Sequence, residues 1–166
     1  MLGITKYVAG AAVAGLLYLG VRKVTLLDKV GDELEAIPSV KVHQVTLLGA
    51  VLRVDVKLKN PTNGTMRLVK PFLKVSILQG GVPTQIGTSD ATSEVIDVPK
   101  NGEVDSPPMW VSISFLNLAG PLFSIVKDLF LNWNTGNRKP VALRVYLKTR
   151  VNGIVDKAIE KDVNLA

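Results

Sequence analysis

From Leu52 to Lys59 apolar and charged side chains alternate without a break: Leu52, Val54, Val56 and Leu58 against Arg53, Asp55, Lys57 and Lys59. Successive side chains of a strand point to opposite faces, so a period of two marks a sheet with one buried and one wet face. The pattern returns at 109–115, where Met109, Val111, Ile113 and Phe115 share a face and Trp110, Ser112 and Ser114 take the other. It returns again at 141–150, with Val141, Leu143, Val145 and Leu147 inward and Arg144, Tyr146, Lys148 and Arg150 outward. Further strands are expected over 40–48, 67–78, 82–88, 93–98 and 157–163. Pro71 marks an edge or a bulge in the second of these. Asn60-Pro61-Thr62-Asn63-Gly64, Gln79-Gly80-Gly81, Pro99-Lys100-Asn101-Gly102 and Asn152-Gly153 supply the turns between them. Short strands at regular spacing, broken by turn signals, predict an antiparallel sandwich or barrel.

Two segments depart from this period. Residues 117–133 place Leu118, Leu122, Ile125, Val126, Leu129, Phe130 and Trp133 at helical spacing, with Lys127 and Asp128 the only charges. Gly120-Pro121 suits the first turn of a helix. It is expected to plug one end of the β domain; the alternative is a second membrane-contacting element, too short to span. The other segment is residues 7–21, which carry no charge and are flanked by Lys6 and by Arg22 and Lys23. With Leu2 and Ile4, its apolar reach approaches the lower limit of a spanning helix, roughly 17–25 residues. Tyr7, Val8, Val13, Leu16, Leu17, Tyr18, Leu19 and Val21 would form this anchor, with the two tyrosines near its ends, where interfacial aromatics sit. No small-x-small cleavage site follows, which disfavours a signal peptide. A partner-docking helix is the other alternative. Gly10 with Ala14 and Ala11 with Gly15 lie one turn apart and would let another helix approach closely.

Between anchor and β domain, Leu26, Leu27, Val30, Leu34 and Ile37 follow a helical stripe over 25–37, weakened by Gly31 and ended by Pro38. The expected organisation is therefore a membrane-anchor helix at 1–23, a stalk helix or linker at 24–38 and a β domain at 39–166.

The run 51–62, an alternating strand that ends in Asn60-Pro61-Thr62, resembles the corresponding strand of the late-embryogenesis-abundant type-two fold, the water-stress and hypersensitive-response (WHy) domain. The order of elements is similar too: strand 109–115, apolar helix 118–130, Gly136, strand 141–147, and a final hairpin at Gly153. The resemblance covers about 38–165. It implies an immunoglobulin- or fibronectin-like antiparallel β-sandwich with one inserted helix, in many members behind a single N-terminal anchor. It implies no catalytic set, and roles that are protective, structural or lipid-associated.

The chemistry available is narrow. The chain has no cysteine and one histidine, His43, which excludes disulfides, thiol nucleophiles, cysteine zinc motifs and any His-rich metal site within it. His43 is expected to be structural or exposed. Asp32, Glu33 and Glu35 read as a solvated face, and Asp97, Glu103 and Asp105 lack the spacing of an acid/base pair. Asn63-Gly64-Thr65 is a glycosylation sequon in a turn. No phosphate-binding glycine loop or nucleophile elbow is present, and no cofactor or small-molecule substrate is expected.

The net charge of +6 fits an acidic partner. Arg53, Lys57 and Lys59, with Arg144, Lys148 and Arg150, are candidates for a basic partner surface, the alternative being a plain solvated face. Nucleic acid is disfavoured because few aromatics interleave with the bases. The expectation is a non-enzymatic, single-pass, membrane-associated structural protein. It would contact membrane lipid and other protein subunits as a minor component of a virion or cell envelope, linking a bilayer to a protein layer. The alternative is a lipid- or ligand-binding, stress-protective module of the WHy-like type.

Overall fold

Period-two alternation becomes a mainly β, antiparallel fold with one α-helix among the described residues. The structure, a computed structural model, describes residues 33–118, 120–131 and 141–165. The proposed anchor residues and the helix-packing set Gly10, Ala11, Ala14 and Gly15 lie outside them, as do Trp133 and Gly136.

In chain order the strands are β1 (Glu35–Val45), β2 (Gly49–Asn60), β3 (Met66–Gln79), β4 (Val82–Ser89), β5 (Val95–Val98), β6 (Gly102–Asp105), β7 (Met109–Ser114), β8 (Val141–Val151) and β9 (Val155–Leu165). A 3-10 turn, Phe115–Asn117, and the helix α1 (Pro121–Leu131) stand between β7 and β8. The sheet runs β1-β2-β7-β4-β3-β8-β9, with β5 paired to β3 and β6 to β2. Every neighbouring pair is antiparallel. Directions alternate along this path, so β1 and β9, at its two ends, run the same way. They lie side by side without a ladder between them, and the sheet is nearly closed. Its thinnest join is β4 to β7, only Thr88↔Ser112 and Ser89↔Val111.

The inward faces form one core. On β2, Leu52, Val54, Val56 and Leu58 are at most 1% exposed, as the alternation requires. Leu73 and Val75 of β3, Val111 of β7 and Leu143 of β8 meet them from the other strands. Each such side chain stabilises the fold by roughly 1.5–3 kcal/mol. Space between β2 and β7 is tight at Gly49, where a Cβ would run into the carbonyl oxygen of Ile113. Gly49→Ala is expected to lower stability by about 1–3 kcal/mol, whereas Gly64→Ala, with nothing within 4 Å of the added methyl, should be near neutral. Urea midpoints of the two variants check this.

The structure departs from expectation at the start of the domain. The helix expected to run to Ile37 is strand from Glu35 onward. Leu34 and Ala36 are 5% and 2% exposed, whereas Ile37 is 47% exposed. Leu34 and Ile37 therefore do not share a face, and the true period is two. Pro38 does not end this element; it is accommodated because β1 is an edge strand and its missing N–H is not needed by a second neighbour. Residues 35–38 thus belong to the sheet.

Strand β6 was not anticipated, because Gly-Glu-Val-Asp offers one apolar residue between two charges. Pro71 behaves as expected. The β3–β8 register slips between Val69 and Phe72, and Lys70 takes a φ of 52°, so Pro71 stands in a bulge of an interior strand. Asn152 (φ 52°) and Gly153 (φ 70°) are the left-handed pair of the three-residue β8–β9 turn, in which Ile154 N donates to Val151 O at 3.1 Å. Asn152 also fixes the neighbouring strand: its Oδ1 accepts from Arg67 N at 2.9 Å and its N donates to Arg67 O at 2.7 Å.

Helix α1 is shorter than the apolar run that encodes it. Phe115, Leu116 and Asn117 form the 3-10 turn, and the helix starts at Pro121. Val126 and Phe130 are fully buried, and the Phe130 ring stacks on Phe115 with centroids 6.3 Å apart. Ile125, expected to face inward, is 44% exposed. No helix among the described residues is long and apolar enough to cross a membrane.

Candidate functional site

The charged candidates sit where the alternation put them, on outward faces, but they do not form one surface. Arg53, Lys57 and Lys59 stand on β2, while Arg144, Lys148 and Arg150 stand on β8, in the other half of the sheet. Nor is either set bare positive charge. Arg53 Nε lies 2.9 Å from Asp55, and Lys57 and Lys59 reach Glu103 of β6 at 3.2 and 3.9 Å. On β8, Arg144 binds Asp162 through two bonds of 2.7 and 3.0 Å, and Arg150 binds Asp156 at 2.9 Å.

Register explains these pairs. Arg144 stands directly opposite Asp162, and Arg150 opposite Asp156, in the β8–β9 ladder. The hydrogen bond from Arg144 holds the Asp162 carboxyl below the usual carboxylate range and raises the arginine itself. Arg150 does the same to Asp156. Exposed pairs of this kind add little stability. Their effect is on recognition: these faces carry alternating charge, and a purely anionic partner would compete with built-in carboxylates.

His43 is exposed at the irregularity in β1 and meets the outward Trp110 ring edge-on, with centroids 4.6 Å apart. Asp97 is engaged by Arg67 at 2.8 Å, and Glu103 by the β2 lysines. Among the described residues no three or more His, Asp or Glu converge as a metal-ligand set.

The Asn-Pro turn holds a polar cluster that the sequence placed but did not explain. The Asn60 residue is 1% exposed. Its Nδ2 donates to Gly64 O at 2.7 Å, Pro99 O at 3.0 Å and Val98 O at 3.3 Å. Its Oδ1 accepts from Thr62 N at 3.0 Å and Thr62 Oγ1 at 2.7 Å. The side chain thereby ties the β2–β3 turn to the end of β5. Beside it two open clefts face solvent. One, of about 450 Å³, lies between Glu35, Asn60 and Glu103. The other, of about 700 Å³, lies along the β1–β9 seam between Leu34, Ala36, Ile159 and Glu160.

No family model matches the chain, and no curated protein matches it. Among solved structures, an Arabidopsis thaliana protein superposes with a TM-score of 0.50 at 11% identity, over 76% of each chain. That likeness is one of fold alone. A protein from Archaeoglobus fulgidus gives a TM-score of 0.47 at 10% identity, over 80% of this chain and 96% of its own. A protein described as a candidate late embryogenesis abundant (LEA) protein gives 0.40 at 13% identity, over 89% and 86%.

Periodicity did not single out Leu47, Leu48 and Leu116, which are 78%, 66% and 75% exposed. The signal that marks them is different: each lies in a run without charge, 44–52 or 106–126.

Proposed function

We propose that the chain is a non-enzymatic, membrane-anchored structural protein. Its β domain, an immunoglobulin-like sandwich of the WHy-like type, would link a bilayer to a protein layer in a virion or cell envelope. The observation that carries this reading is the closeness of the uncharged segment 7–21 to a folded core. Leu34 is already a core residue, so only residues 24–33 separate it from Lys23. Fully extended, ten residues reach about 33–36 Å. A helix of residues 1–23 in lipid would therefore hold the domain close to that surface. The strand ending in Asn60-Pro61 and the order strand, helix, strand, hairpin support the WHy-like assignment.

Gly10, Ala11, Ala14 and Gly15 would then meet another helix, and the alternating charges of β2 and β8 would suit a protein partner of mixed charge. Photo-crosslinkers at Gly10 and at Lys57, in the native particle, test this. Discrete adducts to the same proteins in fixed stoichiometry are expected. Adducts to lipid alone, with lipid retained by the isolated chain in native mass spectrometry, would overturn the structural role in favour of a lipid-binding module.

A further inference from the structure

One extra residue in β3 decides which of its side chains reach the surface. From Val69 to Phe72 the strand takes three steps, while β8 takes two from Arg150 to Lys148. Before the bulge Leu68 faces inward; after it Leu73, Val75 and Ile77 do, at 0%, 0% and 3% exposure. In a regular strand Leu68 and Phe72 would share a face. The bulge turns Phe72 outward instead, opposite the exposed Lys148. It carries strain at Lys70, whose φ of 52° disfavours a residue with a Cβ. Bulges recur next to functional sites, where they re-aim a side chain.

The resulting surface has apolar groups at its centre and cations around them. Val95, 50% exposed, stands opposite Val69 in the β3–β5 ladder. Phe72 follows on β3. Tyr146 of β8 lies diagonal to it, because Phe72 pairs with Lys148 and Tyr146 with Lys74. Diagonal neighbours are about 7–8 Å apart, within reach of aromatic side chains. Lys70, Lys74 and Lys148 surround this centre, and Lys74 Nζ sits 5.2 Å from the middle of the Tyr146 ring.

Among the described residues none of these lysines forms an ion pair. The carboxylates on the same outward faces are already engaged: Asp97 by Arg67, Asp156 by Arg150, and Asp162 and Glu160 by Arg144. Lys148 acts on Asp156 only as a longer-range charge. Across the outward faces of β5, β3, β8 and β9 the unpaired charge is therefore positive. Carboxylates frame it, with Asp97 on β5 and Asp156, Glu160 and Asp162 on β9. Asp90 and Glu94 close the frame in the loop that passes the bulge, where Thr92 N donates to Pro71 O at 3.3 Å.

We propose that the outward face of β3 and β8 docks an acidic segment of a partner protein. The segment lies along these strands, sets an apolar side chain on Val69, Phe72 and Tyr146, and pairs its carboxylates with Lys70, Lys74 and Lys148. Apolar and aromatic anchors ringed by polar groups are what carry binding at protein interfaces. The framing carboxylates select the occupant. From β5 to β9 is three strand spacings, about 14–15 Å. A continuous polyanion such as a nucleic-acid strand would run past the lysines onto Asp97 or Asp156, whereas one protein segment fits between them. This surface would let the domain meet a protein layer, but it needs only the folded β domain and does not rest on residues 1–23.

The full chain in mild detergent is titrated, by fluorescence anisotropy, with a labelled peptide of glutamates around one central tryptophan. A labelled deoxythymidine oligonucleotide of equal charge is the comparison. The peptide is expected to bind about tenfold more tightly than the oligonucleotide. Phe72→Ala should weaken peptide binding about fivefold, as truncation of an anchor does, and Phe72→Leu should weaken it less. Lys74→Glu with Lys148→Glu should abolish it, while Lys41→Glu on β1 should leave it unchanged; circular dichroism confirms that each folds. Lys70→Gly removes one cation and relieves the left-handed backbone. Its urea midpoint should hold or rise while peptide binding weakens. Absence of peptide binding, or equal binding by Phe72→Ala, overturns the proposal. So does tighter binding of the oligonucleotide, which would make this face a nucleic-acid platform instead.

Discussion

Asn60→Ala is expected to lower the stability of the domain by about 3 kcal/mol, because buried partners left unsatisfied cost roughly 1–3 kcal/mol each and relax only in part. The alanine would strand the carbonyls of Val98 and Pro99, and would release Thr62 from the Asn60 oxygen. With a urea dependence of about 1–3 kcal/mol per molar for a domain this size, the midpoint should fall by roughly 1–3 M. Asn60→Asp separates the two halves of the network. Its oxygens can still accept from Thr62, but a carboxylate would face the carbonyls of Gly64, Val98 and Pro99. Its folded-state pKa would be raised, so Asn60→Asp should be weakest at neutral pH and regain stability as pH falls through that raised value. A midpoint for Asn60→Ala within 0.3 M of the parent, on the order of experimental error, would show that the network is dispensable.

Phe130→Ala is expected to cost about 3–5 kcal/mol, the range for deleting a buried aromatic ring. Phe130 is fully buried and stacks on Phe115, which closes the end of the core where β7 finishes. The variant separates two accounts of α1. If the helix is part of the core, the loss appears as a lower urea midpoint of the full chain in mild detergent. If the helix served chiefly to contact membrane, the midpoint would hardly change and membrane binding would fall instead. Ile125→Ser on the exposed side of the helix is the companion, expected within about 0.5 kcal/mol of the parent.

Much of this architecture was legible where burial is one-sided. In β2, β7 and β8 the inward residues are the ones the alternation names, because a strand with a wet face must alternate. The helix was legible from its apolar spacing, and its start from Gly120-Pro121; the 3-10 turn of Phe115 to Asn117 before it was not.

Elements governed by distant contacts were not legible. Strand β6 pairs with β2 between Gly102 and Asp105 with only Val104 to mark it. At β1 the spacing of Leu34 and Ile37 fits a helix, and the burial of Ala36 with the exposure of Ile37 separates the two periods. The Asn-Pro pair reads locally as a turn. Its burial depends on Val98 and Pro99, far along the chain. The basic residues were correctly placed outward, but the register that sets Asp156 and Asp162 opposite Arg150 and Arg144 cannot be read from either strand alone. Two candidate basic faces therefore proved to be faces of alternating charge.

On the proposed function, residues 1–23 fix the domain to a bilayer. Alkaline carbonate extraction of membranes from cells expressing the full chain, beside a chain lacking residues 1–23, distinguishes an inserted helix from peripheral association, which does not survive that treatment. The full chain is expected to stay in the pellet, and the shortened chain, with an unchanged β-sheet circular dichroism spectrum, to move wholly to the supernatant. Release of the full chain, or retention of the shortened one, would contradict it.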